Sequence, residues 1–259
     1  MAERPPPRTL LWVARTAVAL AVLGGWIVYV EGWKLPTYFL PHPFQVARTF
    51  ARLAAGGVLA KHAVFTLQAA VLGFALGSVA AIVLGTLISR SRAVESILRP
   101  YIIASQTTPT LVLAPLFLVW FGFGITSKVL IAAIICFFPL LVNVIVGFRS
   151  VGDNELRLFR AYRASAWQTF VRLQVPSALP FIFAGLRITS LLSVIGAVVG
   201  EFVGSQAGLG YLAVTAAGNL DMDILFAAVL TLMAVGLSFY LLVTGAERRL
   251  LFWHESVRR

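Results

Sequence analysis

The sequence predicts an all-α protein that crosses a membrane six times, with the architecture of a polytopic membrane domain. Three observations carry this. First, 59% of the 259 residues are hydrophobic, well above the roughly 45–50% of soluble domains. Second, the apolar residues gather into six long runs, and a helix needs about 20 such residues to cover the hydrocarbon core. The runs are 10–30, 64–88, 100–121, 127–148, 181–203 and 224–246. Third, the formal charge of +11 falls between those runs. A charge so placed reads as membrane orientation and headgroup contact. Nucleic-acid binding would call for a basic block with interleaved aromatics, and none is present.

Lysine and arginine are strongly biased to one side. With the N-terminus in the cytoplasm, the inner segments hold fourteen of the 21. The outer segments hold five: Lys34, Arg48, Arg52, Lys61 and Lys128. Arg15 and Arg187 lie near run ends, where long side chains can snorkel. The bias places both termini and the 149–180 segment in the cytoplasm of a multi-pass membrane protein.

Residues 1–9 form a cytoplasmic tail, and 10–246 form the membrane domain. The first run, 10–30, is too long for a signal-peptide core and is followed by no small-x-small cleavage site, so it reads as a retained anchor. In the outer loop 31–61, Phe44, Ala47, Phe50, Ala51 and Ala54 recur at helical spacing, with His42-Pro43 at the start. The loop is either an amphipathic surface helix or a plain connector. Run two carries Gly73, Gly77, Ala81 and Gly85; run five carries Gly196, Gly200 and Gly204. Such stripes let helix backbones approach closely, either for packing or as a mobile or dimer-forming seam.

Pro109 and Pro115 interrupt run three, and Pro139 interrupts run four. Proline removes a backbone donor and kinks a helix. Thr107 and Thr108, with Thr110, could offer hydroxyls to the freed carbonyls, so this stretch reads as either a packing kink or a pathway wall. Cys136 reads as a small buried side chain.

Between runs four and five, 149–180 is polar, holds five arginines and ends in the prolines of PSALP, read as a turn. From Glu155 onward it is helix-capable, with Asn154 as a cap. Leu156, Phe159 and Arg163 share one face. Two readings stand: a headgroup-binding amphipathic helix, or a helix gripped by another protein, favoured by Phe159 and Trp167 taken as exposed.

Glu201 is the one carboxylate close to an apolar run. An isolated ionised group there is costly, so it sits near the outer interface or faces a wet cavity, as a pathway residue or an interfacial partner. Asp221 and Asp223, before the last run, are too few to assign a metal. Residues 247–259 form the C-terminal tail.

Enzyme function is disfavoured. The histidines, His42, His62 and His254, lie outside the runs, and HExxH, GxSxG and P-loop patterns are missing. No cofactor is assigned to the chain. A transporter of this kind takes its energy from a partner.

The stretch SAWQTFVRLQVPSALPFIFAGLRI, then Gly200-Glu201 and GLGYL, resembles the permease subunits of type I ABC importers. LPHPFQV and PTLVLAPLFLVWFG match as well, and the resemblance spans about 35–250. The nitrate, sulfonate and taurine branch is the nearest in pattern; it includes permeases for thiamine precursors and riboflavin. The resemblance implies a permease homodimer that forms the pathway for a small solute. It also implies cytoplasmic ATPase subunits that bind ATP and Mg²⁺, and an extracytoplasmic binding protein.

It further implies that 149–180 is the loop that docks on the ATPase, with Glu155, Arg157, Leu158, Phe159, Arg160, Arg163, Trp167, Pro176 and Pro180 as its residues. Here the chain departs from the family pattern. Arg157, Leu158 and Phe159 stand where the family has Glu-Ala-Ala, and Arg163 stands where it has Gly. Leu173 and Val175 replace Ile and Leu, and Pro176 is kept. Arginine tolerates the left-handed region poorly, so the expectation is a helix that runs through 163 and turns nearer Ser165. Thr107, Thr108, Pro109, Pro115, Gly200 and Glu201 are the candidates for the pathway or its gate. The alternative to a permease is an ATP-independent channel or scaffold protein.

Overall fold

A computed structural model describes residues 8–107 and 110–252. The described residues are helical throughout apart from short turns. In chain order the helices are α1 (Arg8–Gly32), α2 (Pro43–Ala55), α3 (Val58–Ser89), α4 (Arg92–Thr107), α5 (Thr110–Phe121) and α6 (Ile125–Arg149). They continue with α7 (Asp153–Ala161), α8 (Ala166–Thr169), α9 (Val175–Val203), α10 (Leu209–Gly218) and α11 (Met222–Leu250). A π turn, Phe170–Gln174, joins α8 to α9.

Five stretches are long and apolar enough to cross a membrane: Trp12–Gly32, Val58–Ser89, Ile125–Arg149, Ala166–Val203 and Met222–Leu250. Five of the six predicted runs therefore appear as continuous helices. The third, 100–121, is helical wherever it is described, as the end of α4 up to Thr107 and as α5 from Thr110. Thr108 and Pro109 lie outside the described residues. Pro115 sits inside α5 and Pro139 inside α6, and both helices continue through them.

Several predicted boundaries move. The fifth span begins well before 181, because Pro176 and Pro180 are helical, so the PSALP segment is no turn. The π turn explains how. Proline clashes with the carbonyl four residues earlier, and a widened turn relieves that crowding. Here the Val175 N–H donates to the Phe170 carbonyl, five residues back, just ahead of Pro176. At the C-terminus, helix continues to Leu250, into the predicted tail. Glu247 is buried and pairs with Arg187 at 3.2 Å, so Arg187 joins α9 to α11.

The chain divides into two compact units. One comprises the described residues of Met1–Leu59 with Leu212–Leu230. In it α2 starts as predicted: His42 is the N-cap, its Nδ1 accepting from the Phe44 N–H at 3.2 Å, and Pro43 opens the helix. Val46 and Thr49 are buried against the unit, whereas Phe44, Ala47, Phe50, Ala51 and Ala54 are exposed, as an amphipathic helix at a membrane surface requires of its apolar face. Thr49 Oγ1 donates to Asp223 at 2.6 Å, which ties α2 to the start of α11.

The second unit, Ala60–Tyr211 with Thr231–Arg259, centres on α6. Among the described residues, α6 and α9 pack against each other extensively. Lipid is as apolar as leucine, so close backbone approach drives such packing. The glycine stripes serve it within this chain: a Cβ at Gly196 would meet Ala132 Cα at 2.6 Å, and one at Gly85 would meet Val144 at 2.7 Å. Gly73 and Gly77 press on Ala132 and Ala133 in the same way. Cys136 is buried here, as expected.

Candidate functional site

Two regions of the second unit bring the predicted site residues together. The first is the helix α7 between two spans. Asp153 and Glu155 stand in its first turn and Arg160 in its last, the arrangement that the helix dipole favours. Its N-cap is Gly152, with no side-chain bond, so Asn154 does not cap it. No residue of α7 is buried. Leu158 is 54% exposed, Tyr162 80% and Trp167 69%. Leu158 and Tyr162, four residues apart, fall on one helical face.

Phe159 is half-buried, which corrects its reading as an exposed anchor. Tyr162 was missed in the sequence, although its spacing from Leu158 marks it. Glu155, Arg157, Arg160 and Arg163 are exposed and ring these aromatic and aliphatic side chains with charge.

Arg163 corrects a second expectation. The helix does not run through it. α7 ends at Ala161, and Arg163 takes φ +54°, the left-handed conformation that glycine serves in the family pattern. The Arg163 N–H donates to the Arg160 carbonyl at 2.9 Å and the Ala164 N–H to the Phe159 carbonyl at 3.0 Å. That pair of bonds is a Schellman closure with arginine in place of glycine. Ser165 then starts α8 through a capping box: its Oγ accepts from the Gln168 N–H at 3.1 Å, and its own N–H donates to Gln168 Oε1 at 2.8 Å.

The turn is anchored below by aromatic stacking. Trp167 contacts Phe170 at 5.9 Å, and Phe170 stacks on Phe148 at 5.8 Å, with the Arg90 guanidinium over the Phe170 ring at 5.2 Å.

The second region surrounds Glu201. Its residue is 1% exposed and that of Lys128 is 0% exposed, so the predicted outer-loop lysine is deeply buried. The Lys128 ammonium donates to the Phe123 carbonyl at 2.8 Å and to the Gly204 carbonyl. Glu201 and Lys128 are electrostatic partners.

Three consecutive amides of the following loop are each held by a side chain. The Gly208 N–H donates to His62 Nδ1 at 3.1 Å, the Leu209 N–H to Thr66 Oγ1 at 2.8 Å and the Gly210 N–H to Glu201 Oε2 at 2.7 Å. Those amides open α10, and the first turn of a helix leaves its N–H groups without internal partners. A carboxylate there also meets the positive end of the helix dipole.

Only glycine fits at 208. Its φ is +109°, and a Cβ would run into the Glu201 carboxyl. Gly200 lies against Lys128, where a Cβ would meet its Cγ at 3.0 Å. The region is thus a buried junction of α3, α6, α9 and α10. His62, Thr66 and Lys128 were not singled out for it in the sequence. The i, i+4 spacing of His62 and Thr66 on α3, and a second charge at the edge of an apolar run, are the signals that point to them. Of the remaining candidates, Thr107 ends α4, Pro115 lies within α5, and Thr108 and Pro109 are outside the described residues.

Comparison with known proteins follows the same outline. Residues 73–252 match the family model for binding-protein-dependent transport system inner membrane components. The chain is 40% identical over 221 residues to the riboflavin transport system permease protein of Chloroflexus aurantiacus, covering 85% of this chain and 82% of that protein. It is 37% identical over 219 residues to the formylaminopyrimidine transport permease protein of Halalkalibacterium halodurans, covering 85% and 87%. It is 30% identical over 254 residues to a putative aliphatic sulfonates transport permease protein of Bacillus subtilis, covering 98% and 92%. Its fold is similar to the crystal structure of an amino acid ABC transporter with histidines. There the TM-score is 0.62 at 18% identity, over 77% of this chain and 97% of that one.

Proposed function

The chain belongs to the family of binding-protein-dependent transport system inner membrane components, and from that premise we propose how it works. It is a permease subunit of an ATP-binding cassette transporter, a transport component and not an enzyme. Its family implies association with an ATPase and a substrate-binding protein.

The finer reading concerns the coupling. α7 is the helix that the ATPase grips. The observation that carries this is a nine-residue helix between two spans that buries none of its own residues, with Leu158 on it, Tyr162 at its C-cap and Trp167 on the following α8 all turned outward. Aromatic side chains ringed by charge are the usual anchors of a protein interface. Closure of the ATPase dimer would move α7 and, through the Trp167–Phe170–Phe148 stack, the α6–α9 pair. ATP and Mg²⁺ belong to the partner. The permease acts as a homodimer, with both termini and α7 in the cytoplasm, as the lysine and arginine bias supports.

The solute is small. Relatives named for riboflavin, formylaminopyrimidine and aliphatic sulfonates make heteroaromatic vitamins and their precursors the first class to assay, with sulfonates and taurine-like solutes second. The test is uptake into proteoliposomes that hold the chain with its ATPase and binding protein. Uptake requires ATP and all three components. Flux through the chain alone, without an ATPase, would instead establish the channel reading.

A further inference from the structure

We propose that the groove between α4 and α6, at the Arg149 end of α6, is a binding site for an anionic phospholipid. The groove encloses about 370 Å³. One wall is Ile102 and Ile103 of α4, the other Val142 and Val146 of α6, and at its mouth stand Arg99 and Arg149. A cavity with an apolar trough and cationic lip fits a ligand with an acyl chain and a negative head.

The charges at the mouth do not cancel. Arg149 Nε donates to Glu95 Oε2 at 2.8 Å, and Arg99 Nη2 donates to Glu95 Oε1 at 3.3 Å. One carboxylate is therefore shared by two guanidiniums. Arg92 joins them around an adjoining cavity of about 330 Å³, so three guanidiniums face one carboxylate. A second observation points the same way: Arg149 Nη2 is buried and has no hydrogen-bond partner among the described residues. An unmet guanidinium N–H is a donor suited to a phosphate oxygen.

The place in the fold also fits. α6 is a candidate span that ends at Arg149, which sets the arginines at headgroup depth and the valines and isoleucines below it. Basic pockets between membrane helices hold anionic headgroups in this way. Ile103 and Val146 are more than two-fifths exposed, so the trough is open for a chain to enter. Such a lipid would brace α4 against the end of α6, next to the segment that leads into α7. The inference needs only that α6 ends at a lipid surface. A failure of uptake would leave it standing, and a failure of lipid binding would leave the transport reading standing.

The test is native mass spectrometry of the full chain, released from nanodiscs of equimolar phosphatidylglycerol and phosphatidylcholine with matched acyl chains. The wild-type chain is expected to retain phosphatidylglycerol preferentially. Arg99→Gln, at an exposed position, should lower that preference about fivefold, the equivalent of about 1 kcal/mol for one basic residue at an anionic surface. Val146→Trp fills the trough while keeping every charge, and it should abolish retention. Equal retention of the two lipids, or unchanged preference in both variants, overturns the proposal. So does displacement of the lipid by inorganic phosphate, which would make this a free-anion site. Disulfide dimers of Ile103→Cys in the membrane would place a second copy in the groove and overturn it too.

Discussion

α7 and the Glu201 junction use similar residues under opposite conditions. Both combine charged side chains with a turn that needs a left-handed backbone. In α7 the charges are exposed and no residue is buried. Around Glu201 the charged groups are buried almost completely, and three successive amides are each assigned a partner. The first region is a surface whose geometry is set mainly by its own helix bonds and caps. The second is a junction that holds four helices in register. The lesson is that a charge near a membrane span has no fixed meaning. What decides is whether its hydrogen-bond partners lie inside the chain, as for Lys128, or are left for another molecule, as along α7.

The contrast can be broken most forcefully at the junction. Glu201→Ala removes the acceptor for the Gly210 N–H and empties the space beside Gly208. Leaving a buried donor unmet costs about 1–3 kcal/mol and the cavity adds to it, so the thermal transition of the detergent-solubilised chain should fall sharply. Glu201→Gln keeps an acceptor and should fall less. If Glu201→Ala unfolds like the parent but stops uptake, the carboxylate belongs to the pathway and the contrast fails.

The same logic predicts the reverse at α7. Tyr162→Ala and Leu158→Asp should leave the thermal transition unchanged, because neither side chain is packed in the isolated subunit. Interface anchors contribute about 2–4 kcal/mol each, so the affinity for the ATPase should drop at least tenfold, measured by co-purification and by permease-stimulated ATP hydrolysis. Phe159→Asp should lower stability as well as coupling, because Phe159 is half-buried. A stability loss confined to Tyr162 would mark that residue as structural.

Gly208→Ala comes next in size. The residue would hold φ +109° and set its Cβ against the Glu201 carboxyl. Strained backbone of this kind costs about 1–3 kcal/mol. The expected sign is faster hydrogen exchange at the amides of Gly208, Leu209 and Gly210, with the exchange of α7 unchanged. Equal acceleration in both regions would show that they form a single cooperative unit.

Much of this was legible in the sequence, for definable reasons. Apolar run length exposes the spans directly, since no water is available to satisfy an open backbone. His42-Pro43 announced the start of α2 by its local chemistry. What sequence could not resolve depended on distant partners. Lys128 looked like a loop lysine because the carbonyls that hold it belong to Phe123 and Gly204, the latter 76 residues away. Glu201 read as either a pathway residue or an interfacial partner because the Gly210 amide that it holds folds back from a loop. PSALP looked like a turn because proline usually ends helices, while a π turn here absorbs the clash.

Arg163 gives the smallest effect and the sharpest comparison between the two regions. Both turns use positive φ, at Gly208 by a glycine and at Arg163 by a side chain that resists it. The left-handed region costs a residue with a Cβ roughly 1–2 kcal/mol, and glycine recovers part of this while adding freedom to the unfolded chain. Arg163→Gly should therefore tighten the Schellman closure by up to about 1 kcal/mol. The readout is slower hydrogen exchange at the Arg163 and Ala164 amides, which donate to Arg160 and Phe159. Arg163→Val, with a branched Cβ, should loosen the same amides. If Arg163→Gly tightens the turn yet weakens ATPase stimulation, the arginine is kept for its charge at the partner surface. If stimulation is unchanged, the side chain is only tolerated there, and Leu158, Tyr162 and Trp167 carry the contact.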